Sequence, residues 1–147
     1  MATGADGAII NNNTFACSAY SIGHLPWDPK HHALTFKNNV CVVTQAGGSG
    51  YANIKLEEET TAELTHSHNT FFNCDTGGLY YDDGGRQWFP NGVGELTSDP
   101  LLDLDYHLTA GSPCIDAGVN VGLSFLGLAP DQGAFETPVV PANAGDV

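Results

Sequence analysis

Three short segments of the sequence become similar when one asparagine of each is superposed. They are "AIINNNTF", "LTFKNNVC" and "LTHSHNTF", and the aligned asparagines are Asn13, Asn39 and Asn69. In each segment a short β-favouring stretch precedes the asparagine and another follows it. The asparagines lie 26 and 30 residues apart. This spacing suits one coil of a β-solenoid, in which each repeat stacks on its neighbours.

Asparagine has a physical role at such positions. A tight corner between two strands needs a residue that tolerates the left-handed backbone region, and asparagine is the best candidate other than glycine. We therefore predict that Asn13, Asn39 and Asn69 form the corners, and that their stacked amides hydrogen-bond to one another. The alternative is three unrelated occurrences in an asparagine-rich chain.

The rest of the sequence favours strands over helices. No segment combines a helical period with helix-ending residues, and glycine, asparagine, threonine and proline are scattered throughout. The segments "QAGGSGY" and "DDGG" predict turns, "HLPWDPKHH" predicts a surface loop, and "KLEEETTAEL" predicts an exposed acidic loop or edge. The predicted strands are Thr14–Cys17, Val40–Thr44, Tyr51–Leu56, Thr70–Phe72 and Leu79–Tyr81.

The charge balance excludes some classes of partner. With 17 acidic and four basic residues, the net charge is −13, which repels nucleic acid and anionic lipid. No apolar run approaches the ~20 residues of a membrane span. The acid excess either attracts cations or keeps an extracellular protein soluble. The four cysteines have no Cys-x-x-Cys spacing, so we favour buried thiols, with two disulfides as the alternative.

The C-terminal third carries a long ordered motif. "DPLL" begins at Asp99, "DYHL" at Asp105, "GSPCIDAG" at Gly111 and "DQGAFE" at Asp131. The motif resembles the end of secreted bacterial right-handed parallel β-helix proteins of the pectin-lyase-like kind, which finish with "DIGAFE" or "DIGAYE". Gln132 departs from the aliphatic residue usual in that family.

The resemblance and the repeat together imply an all-β fold: a short right-handed parallel β-helix of about three coils with a C-terminal cap. The predicted division is coils over 1–97, a capping segment over 98–137 and an extended tail over 138–147. In the cap, the leucines available to cover the last coil are Leu101, Leu102, Leu104 and Leu108. "MATGADGAII" offers little to cover the first coil, so we expect a homo-oligomer or upstream coils of a longer chain there.

The segment "GGLYYDDGGRQW", residues 77–88, is the strongest candidate for ligand binding. It combines flat apolar rings with planar polar groups, as carbohydrate recognition requires. The alternative is a long turn whose aromatic residues seal the end of the core. The predicted sugar-binding residues are Tyr80, Tyr81, Asp82, Asp83, Arg86 and Trp88.

Two further groups are candidates for metal binding. Asp103 and Asp105, with Asp99 nearby, would aim oxygens at one cation, although no calcium-loop motif is present. We predict no cofactor, with calcium at these acids as the alternative. His66 and His68 would share one face of a strand, as a metal or acid–base pair or as polar residues facing solvent.

No catalytic residue is predicted. Hydrolysis of a glycosidic bond needs two acids at a defined separation, and the neighbours Asp82 and Asp83 would point to opposite faces of a strand. The first hypothesis is a non-catalytic secreted or cell-surface β-solenoid that binds polysaccharide or is structural, and that self-assembles through its first coil. The second is the C-terminal fragment of a β-helix polysaccharide lyase or glycoside hydrolase.

Overall fold

The computed structural model describes residues 7–17, 23–25, 34–44, 54–57, 64–74, 78–82 and 86–138. Within these ranges the chain forms ten short strands and no helix. The strands are β1 (Ile9–Asn11), β2 (Thr14–Cys17), β3 (Gly23–Leu25), β4 (Thr35–Lys37), β5 (Val40–Val43), β6 (Ile54–Glu57), β7 (Thr65–Ser67), β8 (Thr70–Phe72), β9 (Leu79–Asp82) and β10 (Arg86–Trp88).

The strands are arranged in three sheets that the chain visits repeatedly in the same order. Strands β1, β4 and β7 form the first sheet, and β2, β5 and β8 form the second. The third sheet has the order β10-β9-β6-β3. All neighbours pair in parallel except β9 and β10, which are antiparallel. The all-β prediction and the parallel pairing are therefore confirmed.

All five predicted strands are found with limits within three residues of those expected, and Thr14–Cys17 and Thr70–Phe72 agree at both ends. Strands β1, β4 and β7 are the β-favouring stretches that precede the aligned asparagines, and two other strands were missed. Gly23–Leu25 forms β3 at the start of the segment predicted as a proline-containing loop, and Arg86–Trp88 forms β10 where a turn was the alternative. Neither segment has the β-branched composition that signals a strand, so pairing with neighbours decides their conformation.

The corners between the first and second sheets lie one residue earlier than predicted. The left-handed residues are Asn12, Asn38 and His68, with φ values of 53°, 55° and 53°. The prediction that the aligned asparagines themselves adopt this conformation was wrong. They follow the corner residue directly, where their side chains are free to bond along the stack.

The predicted bonding between the aligned asparagines is confirmed. Asn39 Oδ1 accepts from the backbone N–H and the amide of Asn13, at 3.1 and 3.0 Å. Asn69 Oδ1 accepts from the same two groups of Asn39, at 2.9 and 3.1 Å. The Asn39 amide also donates to the carbonyls of Ile10 and Lys37, at 2.9 and 3.0 Å. We call this chain of bonds the asparagine ladder.

A fourth, unpredicted position completes the ladder. Glu95 lies 26 residues beyond Asn69, and its Oε1 accepts from the Asn69 amide at 2.9 Å. Its Oε2 accepts from the Gly92 N–H at 2.6 Å. Gly94, with φ of 70°, occupies the left-handed position that precedes it. Because each side-chain bond between successive ladder residues is donated by the lower-numbered residue, an acceptor-only carboxylate suits the last position.

Side chains from all three sheets meet in one apolar cluster. The rings of Phe15, Phe36 and Phe71 stack with centroids 6.4 Å apart and planes inclined by 15°. Leu79 from the third sheet is buried against them. The other buried members are Leu34 and Cys41, and the partly buried ones are Ala8, Ile10, Leu64, Cys74 and Phe89.

Strand β5 is buried on both faces. Cys41 points into the three-sheet cluster, while Val40 and Val42 belong to a second cluster on the opposite face. Residues 99–136 cover that opposite face, and the second cluster also contains Cys114, Phe72, Leu96, Leu102 and Leu108. Burial on two faces explains why β5 reads "VCVV" without alternation.

The C-terminal segment therefore covers the side of the second sheet. Leu102 and Leu108 pack in the second cluster with Val40 and Val42, whereas the prediction placed them over the last coil. The prediction was wrong for Leu101, which is exposed, and for Leu104, which is 98% exposed. The predicted boundaries at residues 97 and 137 stay predictions, and residues 139–147 of the predicted tail lie outside the described residues.

Gln132 fixes this segment to the sheets. Its Oε1 accepts from the Thr70 hydroxyl at 2.5 Å. Its amide donates to the carbonyls of Gly94 and Ala117, both at 3.0 Å, and its backbone N–H donates to Cys114. Gln132 is fully buried. An aliphatic residue at this position could make none of the three side-chain bonds.

Candidate functional site

A groove lies between the outer face of the second sheet and the C-terminal segment. One half, of about 280 Å³, is lined by Val42, Phe72 and the turn that contains Asp99 and Asp103. The other half, of about 380 Å³, is lined by Asp105, Phe135 and their neighbours. Ala16 and Tyr106 belong to both halves, so the two adjoin. We call this feature the outer groove.

Two exposed aromatic rings lie in the outer groove. Tyr106 is 48% exposed and Phe135 is 43% exposed. The Phe135 ring stacks on His107, with centroids 4.0 Å apart and planes inclined by 18°. Tyr106 has a φ of 65°, a backbone conformation that residues other than glycine rarely adopt. The groove therefore offers flat apolar faces to solvent.

The three predicted metal ligands all lie along the outer groove. Asp99 Oδ1 accepts from the Leu101 N–H at 2.8 Å. Asp103 Oδ1 accepts from the N–H groups of Asp105 and His107, both at 2.9 Å. These bonds close the turns of the segment. No hydrogen bond of the Asp105 carboxylate occurs within the described part of the chain.

The acids do not form a metal centre of the usual kind. Asp99 and Asp103 line one half of the groove and Asp105 the other. Across the described residues, no group of three or more histidine, cysteine, aspartate or glutamate side chains is placed to hold a metal ion. What these carboxylates provide is hydrogen-bond acceptors and negative charge beside the aromatic rings.

The predicted sugar-binding segment contains an antiparallel strand pair. Strands β9 and β10 place Trp88 opposite Tyr80, Gln87 opposite Tyr81, and Arg86 opposite Asp82. Asp83 and the side chains of the other five predicted residues lie outside the described residues. Their role in sugar binding stays a prediction, now with a defined backbone register.

His66 and His68 do not form a pair. Strand β7 ends at Ser67, and His68 adopts a left-handed backbone at the corner that follows it. His66 Nδ1 lies 2.8 Å from Glu95 Oε1, with side chains only 12% and 1% exposed. The strand that both residues were expected to share ends before His68, and the alternative of solvent-facing residues was wrong for His66. The His66–Glu95 pair lies at the end of the core, where substrates have little access.

Cys114 is a second buried reactive group. Its thiol lies 3.2 Å from the Thr70 hydroxyl and is fully buried. Burial raises the pKa of the Cys114 thiol, and the nearby Asp131 and Asp99 act in the same direction, against hydrogen bonds from Thr70 and Ser112. Because the thiolate is the nucleophilic form, this environment makes Cys114 a packing residue.

The chain was also compared with known proteins. No protein-family model, no curated protein and no solved structure matches it. The described residues contain no helix that is long and apolar enough to cross a membrane.

Proposed function

We propose that the three sheets are the faces of a short right-handed parallel β-helix of about three coils, laterally capped by the C-terminal segment and related to the pectin-lyase-like proteins. Three features support this proposal: the repeated order of the sheets, the parallel register of β4 with both β1 and β7, and the asparagine ladder. Stacked coils bring equivalent residues into contact at a fixed sequence spacing, as the ladder does.

The function that this geometry supports best is polysaccharide binding without cleavage. The observation that carries the proposal is the outer groove, where the exposed rings of Tyr106 and Phe135 lie beside carboxylates. Sugar rings pack their C–H faces on aromatic rings and donate hydroxyl hydrogen bonds to carboxylates. The strand pair β9–β10, which carries the predicted Tyr80 and Trp88, is the second surface proposed for the same polymer.

The proposed setting is the cell surface or the extracellular space. The low charged fraction, 14%, supports it, because such a surface relies on uncharged polar groups for solubility. The net charge of −13 also supports it, because negative charge keeps an extracellular protein soluble. The proposed assembly is through the first coil, with a second copy or upstream coils as its neighbour. Strands β1, β2 and β3 are the end strands of their sheets in the described structure, so this is the side on which a further coil would pair.

A glycan panel tests the proposed function. We expect the intact chain to bind at least one polysaccharide in affinity electrophoresis, and we expect no new reducing ends or unsaturated products in the same samples. Tyr106→Ala and Trp88→Ala should each weaken binding, and Leu128→Ala, at a 94% exposed position outside the groove lining, is the matched control. Release of cleavage products would favour the lyase or hydrolase alternative, and absence of all binding would refute the proposal.

Assembly has a separate test. Sedimentation at high dilution should show a dimer or larger species that dissociates as concentration falls. A folded monomer at every concentration would refute assembly through the first coil, and leave the glycan proposal unaffected.

A further inference from the structure

We infer that the outer groove binds a cationic sugar, an oligosaccharide of glucosamine type whose units carry ammonium groups, and that it rejects uronic acids. This inference rests on the proposed glycan-binding function and adds the charge of the ligand. The groove is a cavity with exposed aromatic walls, and the charged residues that line it in the described structure are acidic.

The aromatic walls indicate the class of ligand. Tyr106 adjoins both halves of the groove, and Phe135 lines the second half. Both rings keep more than two fifths of their surface exposed, although apolar surface for packing lies close by in the second cluster. Together the two halves fall within the ~300–1,000 Å³ typical of sites for small molecules. A ring-shaped ligand with apolar and polar faces suits such walls better than an extended chain.

The rim determines the charge of the ligand. Among the described residues, the ionisable groups that line the groove are Asp99, Asp103, Asp105 and Tyr106, and no lysine or arginine of this described part lines either half. The whole chain adds a net charge of −13. A uronate unit placed on Tyr106 would bring a carboxylate against this rim without a cation to offset it. An ammonium group meets acceptors there, and aromatic rings also attract cations.

The experiment compares three oligosaccharides of equal length by titration calorimetry with the full chain: glucosamine, N-acetylglucosamine and galacturonate oligomers. The first two differ only in the acetyl group that removes the charge. We expect the glucosamine oligomer to bind most tightly and to weaken as salt is added, because salt screens exposed charges. The galacturonate oligomer should show no binding.

Variants separate the groove from general charge attraction. Asp105→Asn keeps the side-chain shape and should weaken glucosamine binding by about threefold to fivefold, the effect of one exposed charge pair, with little change for the N-acetyl oligomer. Tyr106→Ala should weaken both. Leu128→Lys changes the net charge by the same amount as Asp105→Asn but lies outside the groove lining, and should change binding by less than about twofold.

The failures are distinguishable. Equal binding of glucosamine and N-acetyl oligomers, or binding of galacturonate, overturns the charge selection but leaves the glycan-binding function standing. Equal effects of Leu128→Lys and Asp105→Asn overturn the groove as the site. Absence of binding by every oligomer and polysaccharide overturns the proposed function itself.

Discussion

The hydrogen bonds of the asparagine ladder predict that the substitution Asn39→Asp destabilises the fold. In Asn39→Asp an oxygen replaces the amide nitrogen, without a change in volume. The lost nitrogen donates to the Ile10 carbonyl, the Lys37 carbonyl and Asn69 Oδ1, all within 3.1 Å. Asn39 is fully buried, so water does not replace these bonds.

The expected magnitude follows from the side-chain hydrogen bonds lost, since Asn69 Oδ1 and the Lys37 carbonyl each keep a backbone N–H donor, from Asn39 and Asn12 respectively. A buried polar group without a partner costs about 1–3 kcal/mol. The Asn39 amide has two hydrogens to donate, so at about 1–3 kcal/mol for each buried bond lost we expect a loss of about 2–6 kcal/mol, a large part of a typical ~5–15 kcal/mol stability. Protonation of the introduced carboxyl returns one donor, so the loss should shrink as the pH falls.

Urea unfolding followed by circular dichroism measures the loss from the midpoint at constant slope. The matched control is Asn120→Asp, which adds the same charge at an exposed residue and keeps the acceptor for the Gly122 N–H. Asn13→Asp, at the partly buried first position of the ladder, provides a milder variant that should fold and lose less. A change at Asn39 within about 0.5 kcal/mol of the Asn120 control would refute the role assigned to the ladder.

Three further predictions concern packing and protonation. Gln132→Leu should lower the free energy of unfolding by about 2–4 kcal/mol in the same urea assay, because the buried Thr70 hydroxyl and the carbonyls of Gly94 and Ala117 lose their hydrogen bonds; a stabilised variant would contradict this. Gly78→Ala should destabilise strongly, since φ is 65° and the new Cβ would lie 2.2 Å from the Phe71 ring, whereas Gly111→Ala, at a φ of 87° with nothing within 4 Å, should cost only the backbone term of about 1 kcal/mol. The buried Cys114 thiol has a raised pKa, so its contribution to stability is present below the usual thiol pKa of about 8.5 and lost as pH rises through the higher folded value. Cys114→Ala should remove that alkaline loss, and an unchanged pH profile would show that another group causes it.

The sequence predicted those parts of the fold whose cause is local. Strands with β-branched or aromatic residues, such as Thr70–Phe72, and the bonds between aligned asparagines follow from residue type and spacing. Glu95 was missed because the alignment sought asparagine, although its spacing of 26 residues and the preceding Gly94 carry the same signal. Strand β10 was missed because its conformation depends on pairing with β9.

The candidate site was less predictable. Asp99, Asp103 and Asp105 were identified as neighbours in sequence, and they do lie along one groove. Tyr106 and Phe135 were missed as ligand-facing residues because only tertiary packing decides which face of the C-terminal segment meets the sheet. The exposure of Leu104 has the same cause, since Leu102 and Leu108 take the covered positions.

The lateral C-terminal segment has a consequence for how this chain folds. It reaches the second sheet at the Asn38 carbonyl, through the Gly133 N–H at 2.7 Å, and at the Thr14 hydroxyl, through the Ala134 N–H at 3.0 Å. The second of these contacts joins residues 120 positions apart. Stacked repeats without such a connection can unfold one repeat at a time. A C-terminal segment that contacts all three strands of the second sheet couples the unfolding of those strands. These contacts of the C-terminal segment form only after a long loop closes. The segment therefore makes unfolding more cooperative and makes folding slower.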